Sequence, residues 1–61
     1  MRNRVKALRL ELNMTQEDLA QKVAVSRQTI ISIEKGKFDP SLGLAFELAR
    51  VFKVTVDKLF S

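Results

Sequence analysis

The stretch Thr15–Gly36, TQEDLAQKVAVSRQTIISIEKG, sets how the rest of this 61-residue chain is read. Its first residue, Thr15, carries a hydroxyl that can accept a hydrogen bond from an unpaired amide in the first turn of a helix. Asp18, three residues on, can reach back in the reciprocal bond of a capping box. Leu19, Ala20 and Val23 then fall on one helical stripe. Ala24 and Val25 follow, and Ser26 is a second cap candidate, so the joint is only about three residues long. In the next helix, about Ser26 to Lys35, Ile30 and Ile33 face inward. Arg27, Gln28, Ser32 and Lys35 lie mostly on the other side, and Gly36 is the expected left-handed stop.

Two short helices joined this tightly match a helix-turn-helix unit. An apolar inner stripe is ordinary for a surface helix; the outer stripe is more informative. Arg27 and Gln28 stand near the helix start, and their paired donors and acceptors fit guanine and adenine edges in a major groove. No carboxylate interrupts that face. Glu34 falls toward the inner edge, where it can pair with a base from another helix.

Working outward, residues 2–12 are predicted as a first helix, with Val5, Leu8 and Leu12 at helical spacing, Leu10 off the stripe and Arg9 on its edge. Asn13 and Met14 end it. Residues 37–40 read as a loop, and Pro40 with Ser41 opens a fourth helix, because proline disfavours helical geometry in the residue before it. Leu42, Ala45, Leu48, Ala49 and Phe52 form its expected inward stripe. Thr55 caps a last short helix whose Val56, Leu59 and Phe60 close the core. Met14 with Leu19, Val25 with Ile30, and Val54 with Leu59 each have the spacing of a hydrophobic staple, which fixes the angle at which a helix begins. There is no linker, internal repeat or low-complexity segment, and the whole of 1–61 is expected to be one domain.

A chain this short buries only about 60% of its unfolded surface. Cysteine and histidine are both absent, so neither a disulfide nor a zinc site supports the core, and oligomerisation is the expected remedy. Absent cysteines, no signal-peptide pattern and no apolar run long enough to span a bilayer together predict a cytoplasmic protein without membrane contact. Eleven Lys and Arg against seven Asp and Glu give a net charge of +4, which favours an anionic partner. Arg2, Arg4, Lys6 and Arg9 precede the first acid, Glu11. Lys22, Arg27, Lys35 and Lys37 cluster around the two-helix motif. A solvated basic face would also account for the charge alone; with the motif, nucleic acid is the expected partner.

TQEDLAQKVAVSRQTIISIEKGK, followed by PSLGLAFELARVFKVTVDKLF, resembles the phage-repressor-like helix-turn-helix family, also called Cro/cI or Xre type. The resemblance runs from about Arg4 to Phe60 and includes the spacing of five helices. It implies an all-α, compact, lambda-repressor-like DNA-binding domain whose helices 2 and 3 form the helix-turn-helix and whose third helix enters the major groove. It also implies that Arg9 pairs with Glu34, tying helix one to helix three, and that Gln16 contacts phosphate at the start of helix two. Repressors similar to this chain bind two half-sites as a two-fold dimer. The candidate interface is Leu44, Val51, Val54 and Val56, with Phe46 another apolar residue that is open to solvent; completion of the monomer core is the competing role for Val54 and Val56. Two positions depart from the family pattern. Ala24 stands where relatives usually have Gly in the turn, and Gly43 replaces a residue that is usually polar, either to permit close approach of a neighbour or through drift.

Contacts to phosphate hold register, while contacts to base edges read sequence. The expected base readers are Arg27, Gln28 and Ser32, with Thr29 at the edge of reach. Arg27 has phosphate binding as its alternative. Ile31 has two readings: contact with a thymine methyl or the sugar backbone, or partial burial against helix four. Phosphate candidates are Gln16, Lys35 and Lys37, with Thr15, Lys22 and Arg4 behind them.

An enzyme is not expected, because there is no His or Cys, no glycine-rich phosphate loop and no recognisable nucleophile–base pair. Glu17 and Asp18 are explained by the preference of acids for a first helical turn. No cofactor, metal or small-molecule ligand is expected. The rival function is a protein-binding module, such as the antitoxin half of a toxin–antitoxin pair, with affinity centred on helix four. RNA binding lacks an aromatic stacking platform. The sequence thus predicts a sequence-specific regulator of transcription that binds double-stranded DNA, acting as a repressor by analogy with the family.

Overall fold

Hydroxyl caps start four helices. In a computed structural model that describes residues 2–60, the side chains of Thr15, Ser26, Ser41 and Thr55 accept backbone amides from Asp18, Thr29, Leu44 and Lys58. They open α2 (Gln16–Lys22), α3 (Arg27–Glu34), α4 (Leu42–Phe52) and α5 (Val56–Leu59). The first helix, α1 (Val5–Glu11), begins after Asn3, whose Oδ1 accepts the Val5 amide at 3.0 Å. The expected start at Arg2 is therefore three residues early, because Asn3 bends the chain into the helix by bonding two residues ahead.

The first four helices stop by one device. Met14, Val25, Lys37 and Val54 each donate their amide to a carbonyl five residues back, those of Arg9, Ala20, Ser32 and Ala49. The residue before each donor is left-handed: Asn13 (φ 56°), Ala24 (φ 58°), Gly36 (φ 74°) and Lys53 (φ 57°). This closure satisfies carbonyls that the helix leaves unpaired. Gly36 adopts that geometry without strain and Asn13 tolerates it. At Ala24 and Lys53 a Cβ crowds the backbone.

α2 packs chiefly on α3, α4 on α5, and α1 on α3 and α4. Between them lies one core of Val5, Leu19, Ala20, Val23, Ile30, Ile33, Leu48, Ala49, Phe52 and Leu59. The three staple residues Met14, Val25 and Val54 pack half-buried against this core, as do Val56 and Phe60. The Arg4 amide donates to the Leu59 carbonyl at 2.8 Å, which joins the two ends of the bundle.

Two leucines expected inside are exposed. Leu12 is 52% accessible, because α1 has ended at Glu11 and the chain is turning toward Asn13. The centre of the α1 inner face is instead Arg9, 7% accessible and one helical repeat after Val5. Leu42 is 68% accessible: it opens α4, at the margin of the core, where Pro40, Ala45, Val56 and Phe60 form a shallow apolar cleft with it. The first α4 side chain packed against the core is Leu44, half-buried, and full burial begins at Ala45.

Candidate nucleic-acid interface

The orientation of α3 is set from behind. Ile30 and Ile33 are fully buried, and Glu34, the one acid in this helix, turns inward with its side chain 5% accessible. Its carboxylate receives the Arg9 guanidinium, Nε to Oε2 at 2.7 Å and Nη2 to Oε1 at 3.4 Å. The Gln16 Nε2 donates to Oε1 at 3.2 Å. The third guanidinium nitrogen of Arg9 donates to the Met14 carbonyl at 2.7 Å. One satisfied polar network thus connects α1, the turn before α2, the first residue of α2 and the last of α3.

That network removes the only negative charge of α3 from its outer face. Arg27 and Gln28 stand exposed at the helix start. Thr29, Ile31 and Ser32 are half-buried. The Thr29 hydroxyl lies 3.0 Å from that of Ser26, so it is engaged in the cap. Ser32 gives its carbonyl to the Lys37 amide. Ile31 sits between its two expected roles, neither fully open nor fully covered.

Among the phosphate candidates, Lys22, Lys35, Lys37 and Arg4 are exposed. Lys35 closes α3 and Lys37 follows Gly36, so both mark the C-terminal end of the outer face. Thr15 is exposed, but its hydroxyl accepts the Asp18 amide at 2.9 Å while its own amide donates to Asp18 Oδ2 at 3.0 Å. Gln16 is half-buried with its amide on Glu34, so its side chain is first a brace for α3. Asp18 has a carboxyl held below its ordinary value, chiefly by the Thr15 backbone amide, then by the Thr15 hydroxyl, with a smaller contribution from Lys22.

The four proposed interface residues share one environment. Leu44 and Val51 pack partly buried against the core, as do Val54 and Val56. Phe46 is exposed at 55% and lines, with Ala49, Arg50, Val54, Thr55, Val56 and Asp57, an open depression of about 470 Å³. The exposed large apolar residues of α4 are therefore Leu42 and Phe46, with Val56 lining the depression beside each. Sequence reading also passed over Asn3. Its Nδ2 donates to the Ile33 carbonyl at 2.8 Å, and although an Asn near a helix start signals a cap, a bond to a residue thirty positions away leaves no local mark.

A buried two-helix brace, a tight left-handed turn and an outward Arg–Gln pair define a helix-turn-helix domain. The helix-turn-helix family model matches residues 5–59, and the chain belongs to that family of DNA-binding transcriptional regulators. It is 58% identical over 60 residues to MJ0272, an uncharacterized HTH-type transcriptional regulator of Methanocaldococcus jannaschii, covering 98% of this chain and 91% of that protein. The Vibrio cholerae cryptic phage CTXphi transcriptional repressor RstR is 30% identical over 59 residues, 97% of this chain and 53% of its own length. Among solved structures, the restriction-modification controller protein C.AhdI from Aeromonas hydrophila superposes with a TM-score of 0.84 at 28% identity, covering 93% of this chain and 86% of that one.

Proposed function

We propose that two copies of this chain bind an inverted repeat in double-stranded DNA and repress transcription there, each laying α3 in a major groove. The observation that carries this reading is the exposed Arg27–Gln28 pair on a helix whose rear is fixed by Arg9, Glu34 and Gln16. Arg27 and Gln28 are the principal base readers, with Thr29, Ile31 and Ser32 at the margin of the contact. Lys35 and Lys37 hold the phosphates at one end of the helix. Lys22, Arg4, Thr15 and Gln16 extend that contact.

The principal extents of one copy are 24 × 22 × 18 Å, less than the roughly 34 Å between adjacent half-sites on one face of DNA. Two copies are therefore needed to read both. Phe46 and Leu42, with Val54 and Val56 beside them, supply the apolar centre of the contact, and Leu44 and Val51 support it from beneath. Repression is supported by the likeness to RstR, and the working compartment is the cytoplasm.

The test is selection of bound duplexes from a random DNA pool, followed by titration of the winner at several salt concentrations. An enriched inverted repeat whose affinity falls steeply with salt, and which silences a promoter placed over it, is the expected result. A pool that stays random overturns the reading.

A further inference from the structure

Of the basic N-terminal residues, Arg4 and Lys6 are exposed at the start of α1, Arg9 is turned inward onto Glu34, and Arg2 is exposed beside the end of α3. Arg2, Asn3, Glu34, Lys35 and Gly36 line one cleft of about 380 Å³. Two cations, Arg2 and Lys35, therefore border the same cleft at the end of α3, although they are far apart in sequence. Glu34 is the acid in that cleft, and its carboxylate is already engaged by Arg9 and Gln16. The gathering of two like charges raises the local positive potential, which an external anion relieves.

Asn3 is what brings them together. Its Oδ1 starts α1 through the Val5 amide at 3.0 Å, and its Nδ2 grips the Ile33 carbonyl at 2.8 Å. The residue before it is consequently delivered to the last turn of α3. We infer that Arg2 binds a DNA backbone phosphate together with Lys35, and that Asn3 is the positioning residue that holds it there. This rests on the DNA-binding reading of α3 and extends its phosphate contact to the start of the chain. The contact is to backbone, so it strengthens binding on every sequence and selects none.

The experiment measures affinity for two duplexes, the one enriched from a random pool by the wild-type protein and an unrelated one of equal length, from low to high salt. The proteins are wild type, Arg2→Ala, Asn3→Ser and the double variant. Serine keeps a side-chain acceptor for the start of α1 but is too short to span to Ile33. One released counterion per phosphate predicts that Arg2→Ala lowers the slope of log K against log salt by about 0.9, an affinity loss of about eightfold at 0.1 M salt that closes toward 1 M. The loss should be equal on both duplexes. Asn3→Ser should reproduce part of it, and should cost nothing further once Arg2 is gone.

An unchanged slope in Arg2→Ala overturns the phosphate contact. Equal losses from Asn3→Ser with and without Arg2 overturn the positioning role and leave Asn3 a stabilising cap. If Asn3→Ser does not fold, Arg2→Lys supplies the second measurement, since it must keep the salt slope that Arg2→Ala loses. Wild-type protein that shows no salt-dependent binding would instead sink the DNA-binding reading itself, which separates the two failures.

Discussion

Arg9 and Glu34 face each other side-on across the core, at 2.7 Å and 3.4 Å, with side chains only 8% and 5% accessible. An ion pair this deep contributes little net stability over an apolar pair of the same shape, because desolvation of both charges offsets their attraction. Removal of one partner is different, since it strands the other. Glu34→Ala is expected to cost about 3–5 kcal/mol in urea unfolding, a large share of what a domain of this size possesses. The paired change Arg9→Met with Glu34→Leu should recover most of that loss, although the Met14 carbonyl and the Gln16 amide also lose a partner. If the double variant is as unstable as the sum of the singles, the pair is not coupled and the brace does not exist.

Left-handed geometry at Ala24 predicts a gain. Ala24→Gly removes the crowding of Cβ at φ 58° and should stabilise the domain by about 1 kcal/mol. Gly43 calls for the opposite exchange. It is exposed in the first turn of α4, and a Cβ there meets nothing within 4 Å, so close approach of a neighbour within the same chain does not explain it. Gly43→Ala should add about 0.5–1 kcal/mol. Each change should raise the thermal midpoint by several degrees, about 4–8 °C per kcal/mol in a domain of this length. A lower midpoint for Ala24→Gly would show that the turn is not strained.

Acid should act through the capping box. The Asp18 carboxyl is held below its ordinary 3.8, mainly by the Thr15 amide, so the unfolded chain takes up the proton first as pH falls. The contribution is complete above 3.8, declines as pH drops through the folded value, and is gone below it. Unfolding midpoints followed from about pH 5 to about pH 2 should fall more steeply for wild type than for Asp18→Asn, whose amide does not titrate. Parallel curves would mean that the box does not couple to folding.

The caps, the staples and the stop at Gly36 were legible because each is a local pattern of three to six residues, whereas Lys53, a lysine in the left-handed region at the end of α4, carries no such mark. Thr15, Ser26, Ser41 and Thr55 start helices where their hydroxyls reach an amide in the following turn. The two misplaced leucines mark where periodicity ceases to be informative. Leu12 and Leu42 both continue an apolar stripe, but each lies at a helix end, where whether a neighbour extends that far is a tertiary matter. Arg9 shows the converse: periodicity alone places this charged residue at the edge of the α1 stripe rather than at its centre, while its pairing with Glu34, which the family resemblance implied, is present at 2.7 Å. Gln16 and Asn3 escaped as braces of α3 because their partners, Glu34 and the Ile33 carbonyl, arrive from elsewhere in the chain.

Dimerisation should depend on Phe46 more than on Val51. Phe46 is 55% accessible over the α4–α5 depression, whereas Val51 packs against the core. Phe46→Glu should therefore leave the monomer folded by circular dichroism and shift it to the smaller species in sedimentation. Val51→Ala should act mainly on unfolding. A Phe46→Glu protein that still sediments as the larger species would place the contact on another face.

Substitutions at Gln28 and at Lys35 should separate reading from holding. Gln28 is exposed at the start of α3, where an amide can pair with adenine. Gln28→Ala should cost about 1–3 kcal/mol on the selected duplex and relax the preference at a single base position. Lys35 stands at the other end, and Lys35→Ala should weaken all duplexes alike while lowering the salt slope by about one. Competition of both variants against a panel of single-base changes distinguishes the two roles. A uniform loss from Gln28→Ala would remove it from the base readers and leave sequence discrimination chiefly to Arg27, whose guanidinium can bond a guanine edge in two places, with Thr29 at the margin.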